Sequence, residues 1–442
     1  MDKVAEKPHV KVLRSASIFS LCIVLVIIFL IQSGCAQPLL TQTLPTATRS
    51  HLITPTSVIT VQTTLSPTAP KIIRLWLPPQ FAPALTTSAG KLLQYRLDEF
   101  SARRPGVSIE VRLKAQEGPA GLLDSLTTAS AAAPQALPDI VALPRAALEA
   151  AAQKGLLHPY DGLSRNMEDT DWYENARQLA QVQNSVFGLP FASDALLLVY
   201  RTNVMNTPPG DLESILKTNE ILVFPAGDPQ AIFILTLYLA SGGQISDNKG
   251  KPILDEQVLK NVLSYVHQAQ ANGVMPAWLT QYQTYDQTWQ VFTEQHTNLV
   301  ISWSSDYLAK PLENVAAAPL PVSSGVSFSL LTGWVWAIAS PRADTLNLSV
   351  ELAEFLSESS FLAQWSAAAG YLPPRPSSLS SWQNKVLIAT LDQINRSAVI
   401  FPPADLLSTL SPPLVKAVVQ VMKNEIDPKT AAQQAVESLT NP

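Results

Sequence analysis

Acids and aromatics are the chemically useful groups of this chain, because cysteine and histidine are scarce. The only cysteines, Cys22 and Cys35, stand near the N-terminus. Everything beyond them therefore has no disulfide, thiolate metal site or cysteine nucleophile. Past residue 70 the imidazoles are His158, His267 and His296. No Gly-x-Ser-x-Gly elbow, His-Glu-x-x-His pair, phosphate-binding glycine loop or dinucleotide fingerprint occurs. Asp194 and Asp306 are the residue types of a glycosidase pair, but that chemistry needs carboxyl groups about 5 to 9.5 Å apart, a distance no sequence displays. No metal and no cofactor are expected, and catalysis has little support in these residues.

The elements that must position these groups alternate. Ile72 to Leu77 reads as a strand, and Leu93, Leu97 and Phe100 fall on one helix face. Pro105-Gly106 stops that helix, and Val107, Ile109 and Val111 alternate as a second strand. A helix carrying Leu122, Leu123 and Leu126, a strand from Ile140 to Leu143 and an Ala-rich helix ending at Gly155 extend the pattern. Further strands are expected at Leu196 to Tyr200, Ile221 to Phe224, Leu299 to Trp303 and Trp334 to Ala339. Helices are expected at Pro229 to Ala240, along Val258, Val262 and Val266, at Leu348 to Ser357 and at Thr430 to Leu439. Such alternation predicts an α/β fold with a mainly parallel sheet covered on both faces.

The N-terminal part has a different character. Lys3, Lys7, Lys11 and Arg14 precede an apolar run from Ile18 to Ile31, shorter than the roughly 20 residues of a spanning helix, so residues 1–34 read as an export signal. From Ala36 to Pro70 the one formally charged residue is Arg49, and Thr and Pro recur without period. Ordering this stretch would cost about 1 to 2 kcal/mol per residue with no apolar face to offset it, so residues 35–70 read as a tether. The chain has 442 residues, 47% of them hydrophobic, enough for two lobes. A net charge of -5 without a basic run argues against nucleic acid.

Ordered landmarks then accumulate: Phe100 through Arg104-Pro105-Gly106, Pro138-Asp139-Ile140-Val141, Gly155-Leu156-Leu157 with Tyr160-Asp161, and Gly188-Leu189-Pro190-Phe191 with Asp194 and Tyr200-Arg201-Thr202-Asn203. Ser241-Gly242-Gly243, Ile301-Ser302-Trp303, Gly333-Trp334 and Gly370-Tyr371-Leu372-Pro373-Pro374-Arg375 follow. From Lys71 to the C-terminus this order resembles the extracellular solute-binding proteins of family 1, the maltose-binding-like receptors of ABC importers. Ser33-Gly34-Cys35 is similar to a lipoprotein lipobox, with Gln32 where Leu is usual. The family's Thr-Trp-Asp-Glu-like element is absent and Asn206 to Glu220 is short, so the second lobe is expected to be trimmed.

The resemblance implies a periplasmic-binding-protein-like type II fold: two α/β lobes joined by hinge strands, with a ligand cleft between them. The first lobe would lie mainly in residues 71–192 and the second in 196–332, with 333–442 shared. It implies a monomer, lipid-anchored through Cys35 on the extracytoplasmic side of the membrane, that delivers a sugar to permease subunits. A same-fold sensor and an exported carbohydrate-active enzyme are the alternatives. Sugar recognition needs flat aromatic faces for C–H surfaces and fixed polar groups for hydroxyls. Asp194, at the first lobe crossing, is a hydroxyl acceptor or a hinge brace. Trp303 and Trp334 are stacking faces or core, and Asp306 is a ligand contact or a helix cap. Trp76, Tyr238 and Tyr371 with Arg375 complete the set, against strand-end cover, helix packing and a loop salt bridge. Trp336, two residues from Trp334 and so on the same strand face, is assigned to the core.

Overall fold

The structure, a computed structural model, describes residues 70–323, 326–339 and 342–440. The export signal, Cys35 and the tether up to residue 69 lie outside the described residues. Strands β1 (Lys71–Leu77), β2 (Val107–Leu113), β3 (Ile140–Pro144), β6 (Leu189–Arg201), β7 (Leu222–Val223), β8 (Leu299–Trp303), β9 (Val315–Ala318), β10 (Ser329–Ile338) and β11 (Ala398–Ile400) make one continuous sheet. Its order is β2-β1-β3-β10-β6-β8-β7, with β11 beside β10 and β9 beside β6. A small hairpin joins β4 (Gln181–Val182) to β5 (Ser185–Val186).

The sheet is mixed rather than mainly parallel. β1 pairs in parallel with β2 and β3, but β10 runs antiparallel to β3 and β6, and β6 antiparallel to β8 and β9. The antiparallel centre is built on β6, 13 residues long, of which Leu196 to Tyr200 is only the second half. Residues 189–195 of β6 pair with β10 and residues 196–201 with β8 and β9, so one strand serves two half-sheets. β10 likewise begins at Ser329, five residues ahead of its expected start at Trp334.

Each half-sheet has its own hydrophobic core. One gathers Leu75, Phe100, Leu143, Phe191, Trp336 and Trp365; the other gathers Leu198, Phe224, Phe233, Leu263, Phe292 and Val421. Expected helix faces reappear here: Leu93, Leu97 and Phe100 are buried on the helix Ser88–Ala102, which Thr87 caps by accepting from the Gly90 N–H. Pro105-Gly106 ends it because Gly106 takes a φ of +84°, open to glycine at no steric cost.

After an early excursion that places Trp172, Tyr173 and Ala176 in the second core, the chain beyond Leu179 passes between the cores three times. Core membership changes between Ala192 and Ala195, between Leu331 and Trp334, and between Tyr371 and Leu372. The first and third crossings are laced together, since the Ser193 N–H donates to the Leu372 carbonyl and the Leu372 N–H to that of Ser193, both at 2.9 Å. The first and second pair in the sheet, Asp194 opposite Thr332 and Ser193 opposite Gly333. A Cβ on Gly333 would sit 2.5 Å from the Ala192 carbonyl oxygen, so this approach of two strands requires glycine.

Candidate functional site

A cavity of about 490 Å³ opens at these crossings. Asp194, Thr332 and Tyr371, one residue from each crossing, line it. Trp334 and the start of the helix Arg145–Gln153 line it on the side of the first core, and Trp303, Phe401 and the helix Ala404–Met422 on the other. Residues packed on both cores therefore face one space, as a cleft that closes on its contents requires.

Aromatic faces come from both walls. Trp334 and Tyr371 pack around Phe81, with ring centroids 4.9 Å and 5.4 Å from it. Trp303 packs against Tyr285 at 5.7 Å and Phe401 at 6.0 Å. Trp334 and Trp336 share the first core but meet different neighbours across an irregularity in β6–β10 pairing: Trp334 is opposite Ala192 and Val335 opposite Pro190, which skips Phe191. Phe191 then stacks on Trp336 at 4.0 Å in the core, while Trp334 lines the cavity.

Asp194 acts as a cap borrowed from another strand. The short helix Ser304–Ala309 has no capping side chain at Trp303, the residue before it. Instead Asp194 Oδ1 accepts from the Ser305 N–H at 2.9 Å and the Ser304 hydroxyl at 2.7 Å, and Oδ2 accepts from the Ser305 hydroxyl at 2.6 Å. Burial pushes its carboxyl up to about 6, against these bonds and with help from the Asp306 charge. Burial also raises Asp306, whose carboxylate accepts from the Ser302 hydroxyl.

Of the eight residues expected at a ligand site, Asp194, Trp303, Trp334 and Tyr371 line the cavity together; Trp76, Tyr238, Asp306 and Arg375 do not line it. Trp76 is buried in the first core, with the Lys114 ammonium 5.0 Å above its ring. Tyr238 is wholly buried: its hydroxyl donates to the Gln244 carbonyl and accepts from the Asp255 N–H, and its ring fills the space a Cβ on Gly243 would need. Arg375 is a brace. It lies 3.8 Å from the Trp172 ring, pairs with Asp169 at 2.8 Å and donates to the Ser357 carbonyl at 2.9 Å.

Sequence reasoning missed Phe401, the polar wall formed by Gln80, Gln116 and Glu117, and the pair Arg145 and Glu149. Phe401 directly follows the short strand β11 and precedes Pro402-Pro403, a strand-end signal that was legible. The others sit in loops or on an Ala-rich helix, where no period marks them.

A family profile described as bacterial extracellular solute-binding protein matches residues 96–390. The chain belongs to that family. Comparison with curated proteins gives no match. Among solved structures, the sugar-binding protein MalE from Xanthomonas citri is 17% identical with a TM-score of 0.69, over 84% of this chain and 98% of its own. The cyclic alpha-maltosyl-1,6-maltose binding protein from Arthrobacter globiformis is 15% identical, TM-score 0.68, over 85% and 100%. Maltose-bound MalE3 of T. maritima is 17% identical, TM-score 0.64, over 84% and 99%. At such identities the likeness is one of fold, and it identifies the solute-binding protein's described part as periplasmic-binding-protein-like.

Proposed function

We propose that this solute-binding protein captures a carbohydrate outside the cell and delivers it to the permease of an ABC importer. The observation that carries the reading is the cavity at the three crossings, where Trp334 and Tyr371 face it from one wall and Trp303 and Phe401 from the other, above Asp194. Aromatic rings on both sides suit the two C–H faces of a pyranose, and the remaining acceptor capacity of Asp194 suits a hydroxyl. The solved neighbours described as sugar-binding support the same solute class. A thermal-shift screen against sugars, polyols, phosphates and polyamines tests it. A ligand at 100 times its dissociation constant stabilises the folded protein by about 2.7 kcal/mol, and a response confined to phosphates or polyamines would overturn the reading.

Anchoring belongs to the same proposal. Ser33-Gly34-Cys35 and the Thr/Pro-rich stretch behind it support acylation of Cys35, with a tether that reaches on the order of 30 Å as a coil. Mass spectrometry of membrane-extracted protein is expected to find an acylated N-terminal Cys35; an intact leader would count against it.

A further inference from the structure

Resting on the carbohydrate reading, we infer that the cavity selects by charge: it takes saccharides that are uncharged or carry an amine, and rejects those that carry a carboxylate or phosphate. Beside the Tyr371 phenol, four acidic or basic side chains line the space, Glu117, Arg145, Glu149 and Asp194. The single cation among them is spent on the protein. Arg145 Nε and Nη2 reach Glu149 Oε1 at 2.8 Å, and Nη1 donates to the carbonyls of Gln178, Leu179 and Gln181. A ligand carboxylate or phosphate would therefore enter without a free guanidinium to pair it.

The acids keep acceptor capacity. Glu117 is exposed, and it accepts from the Gln116 amide at 3.4 Å. Glu149 Oε2 has one long contact, 3.4 Å to the Ala404 N–H at the start of the facing helix. Two hydroxyls of the opposite wall are also turned inward. The Ser408 hydroxyl donates to the Asp405 carbonyl at 2.7 Å, and the Ser411 hydroxyl to the Gln230 carbonyl at 3.1 Å. Pro412 has no N–H to offer the Ser408 carbonyl one turn earlier, and both residues line the cavity. Hydroxyl and ammonium hydrogens of a ligand find acceptors at Glu117, Glu149, Asp194 and the Ser408 carbonyl, whereas an anion meets like charge. An amine gains further from the tryptophan faces.

Calorimetry at pH 7.5 tests this with maltotriose and mannotriose, each beside its C6-oxidised uronate form and its 6-amino-6-deoxy form. The neutral and amino forms are expected to bind and the uronate on the order of a hundredfold more weakly. Glu117→Gln is expected to narrow that gap several-fold. A uronate that binds within tenfold of its neutral parent overturns the inference while leaving the carbohydrate reading intact. Silence from all six probes overturns the carbohydrate reading itself, and this inference with it.

Discussion

Asp194 spends three of its roughly four acceptor positions inside the protein, so its first duty is to hold the Trp303-Ser304-Ser305 turn. Burial lifts its carboxyl from 3.8 to about 6, so the folded protein holds that proton more tightly than the unfolded chain does. Ionising it therefore works against folding as pH rises between those values. Asparagine keeps an oxygen for the Ser305 N–H and removes the titration. The stability of Asp194→Asn relative to wild type is expected to improve between pH 4 and 6 and then level off, as chemical denaturation will show; parallel curves would refute it. Asp306 and Tyr371, the titratable neighbours, are present in both proteins and largely cancel from the difference.

The two tryptophans of the cavity separate by burial. Trp334 is 6% exposed against Phe81, so Trp334→Ala is expected to cost about 3 to 5 kcal/mol of stability together with ligand affinity. Trp303 is half-buried, so Trp303→Ala is expected to lose affinity with a smaller change in unfolding temperature. Equal loss of stability in both would remove that distinction. Aromatic type was legible from the sequence at these positions, and so was it at Trp76 and Tyr238. Which of them faces the cavity depends on contacts distant in sequence, such as Lys114 over Trp76, that periodicity does not carry.

Among elements, the crossing strands were the hardest to read. The second half of β6 is apolar and was plain, but its first half carries Pro190 and Asp194 and looks like a loop until β10 pairs with it. β9 and β11, four and three residues long, are too short for an alternating pattern to register. The glycine of the second crossing carries a prediction. Gly333→Ala must displace the Ala192 carbonyl or the Leu179 side chain, which an added Cβ would meet at 2.5 Å and 2.7 Å. The expected cost is about 1 to 3 kcal/mol, with affinity falling because Asp194 and Trp334 move with their strands. Unchanged melting and affinity would mean that the strands part freely.

For the whole molecule, the ordered landmarks carried the family and fold class, while the parallel grammar of the outer strands concealed the antiparallel centre. A space lined from both sides of three crossings predicts closure on ligand. Bound sugar favours the arrangement in which Trp303 and Trp334 both touch it, so small-angle scattering at saturation should report a smaller radius of gyration. An unchanged radius with a ligand proven to bind would indicate a rigid cavity.

The threefold crossing also sets the order in which the molecule can be completed. The core around β1 to β3 includes residues as late as Trp365, and the core around β8 includes Ala435, so neither is finished from a contiguous stretch. A chain that crosses a membrane N-terminus first would emerge with its earliest strands waiting on partners some 200 residues behind them, since β3 pairs with β10. Long loops must close before those contacts form, and such topologies fold slowly. Slow closure keeps the polypeptide threadable during secretion, and leaves the apolar strands of β1 and β3 in need of shelter until Trp334 and Trp336 arrive.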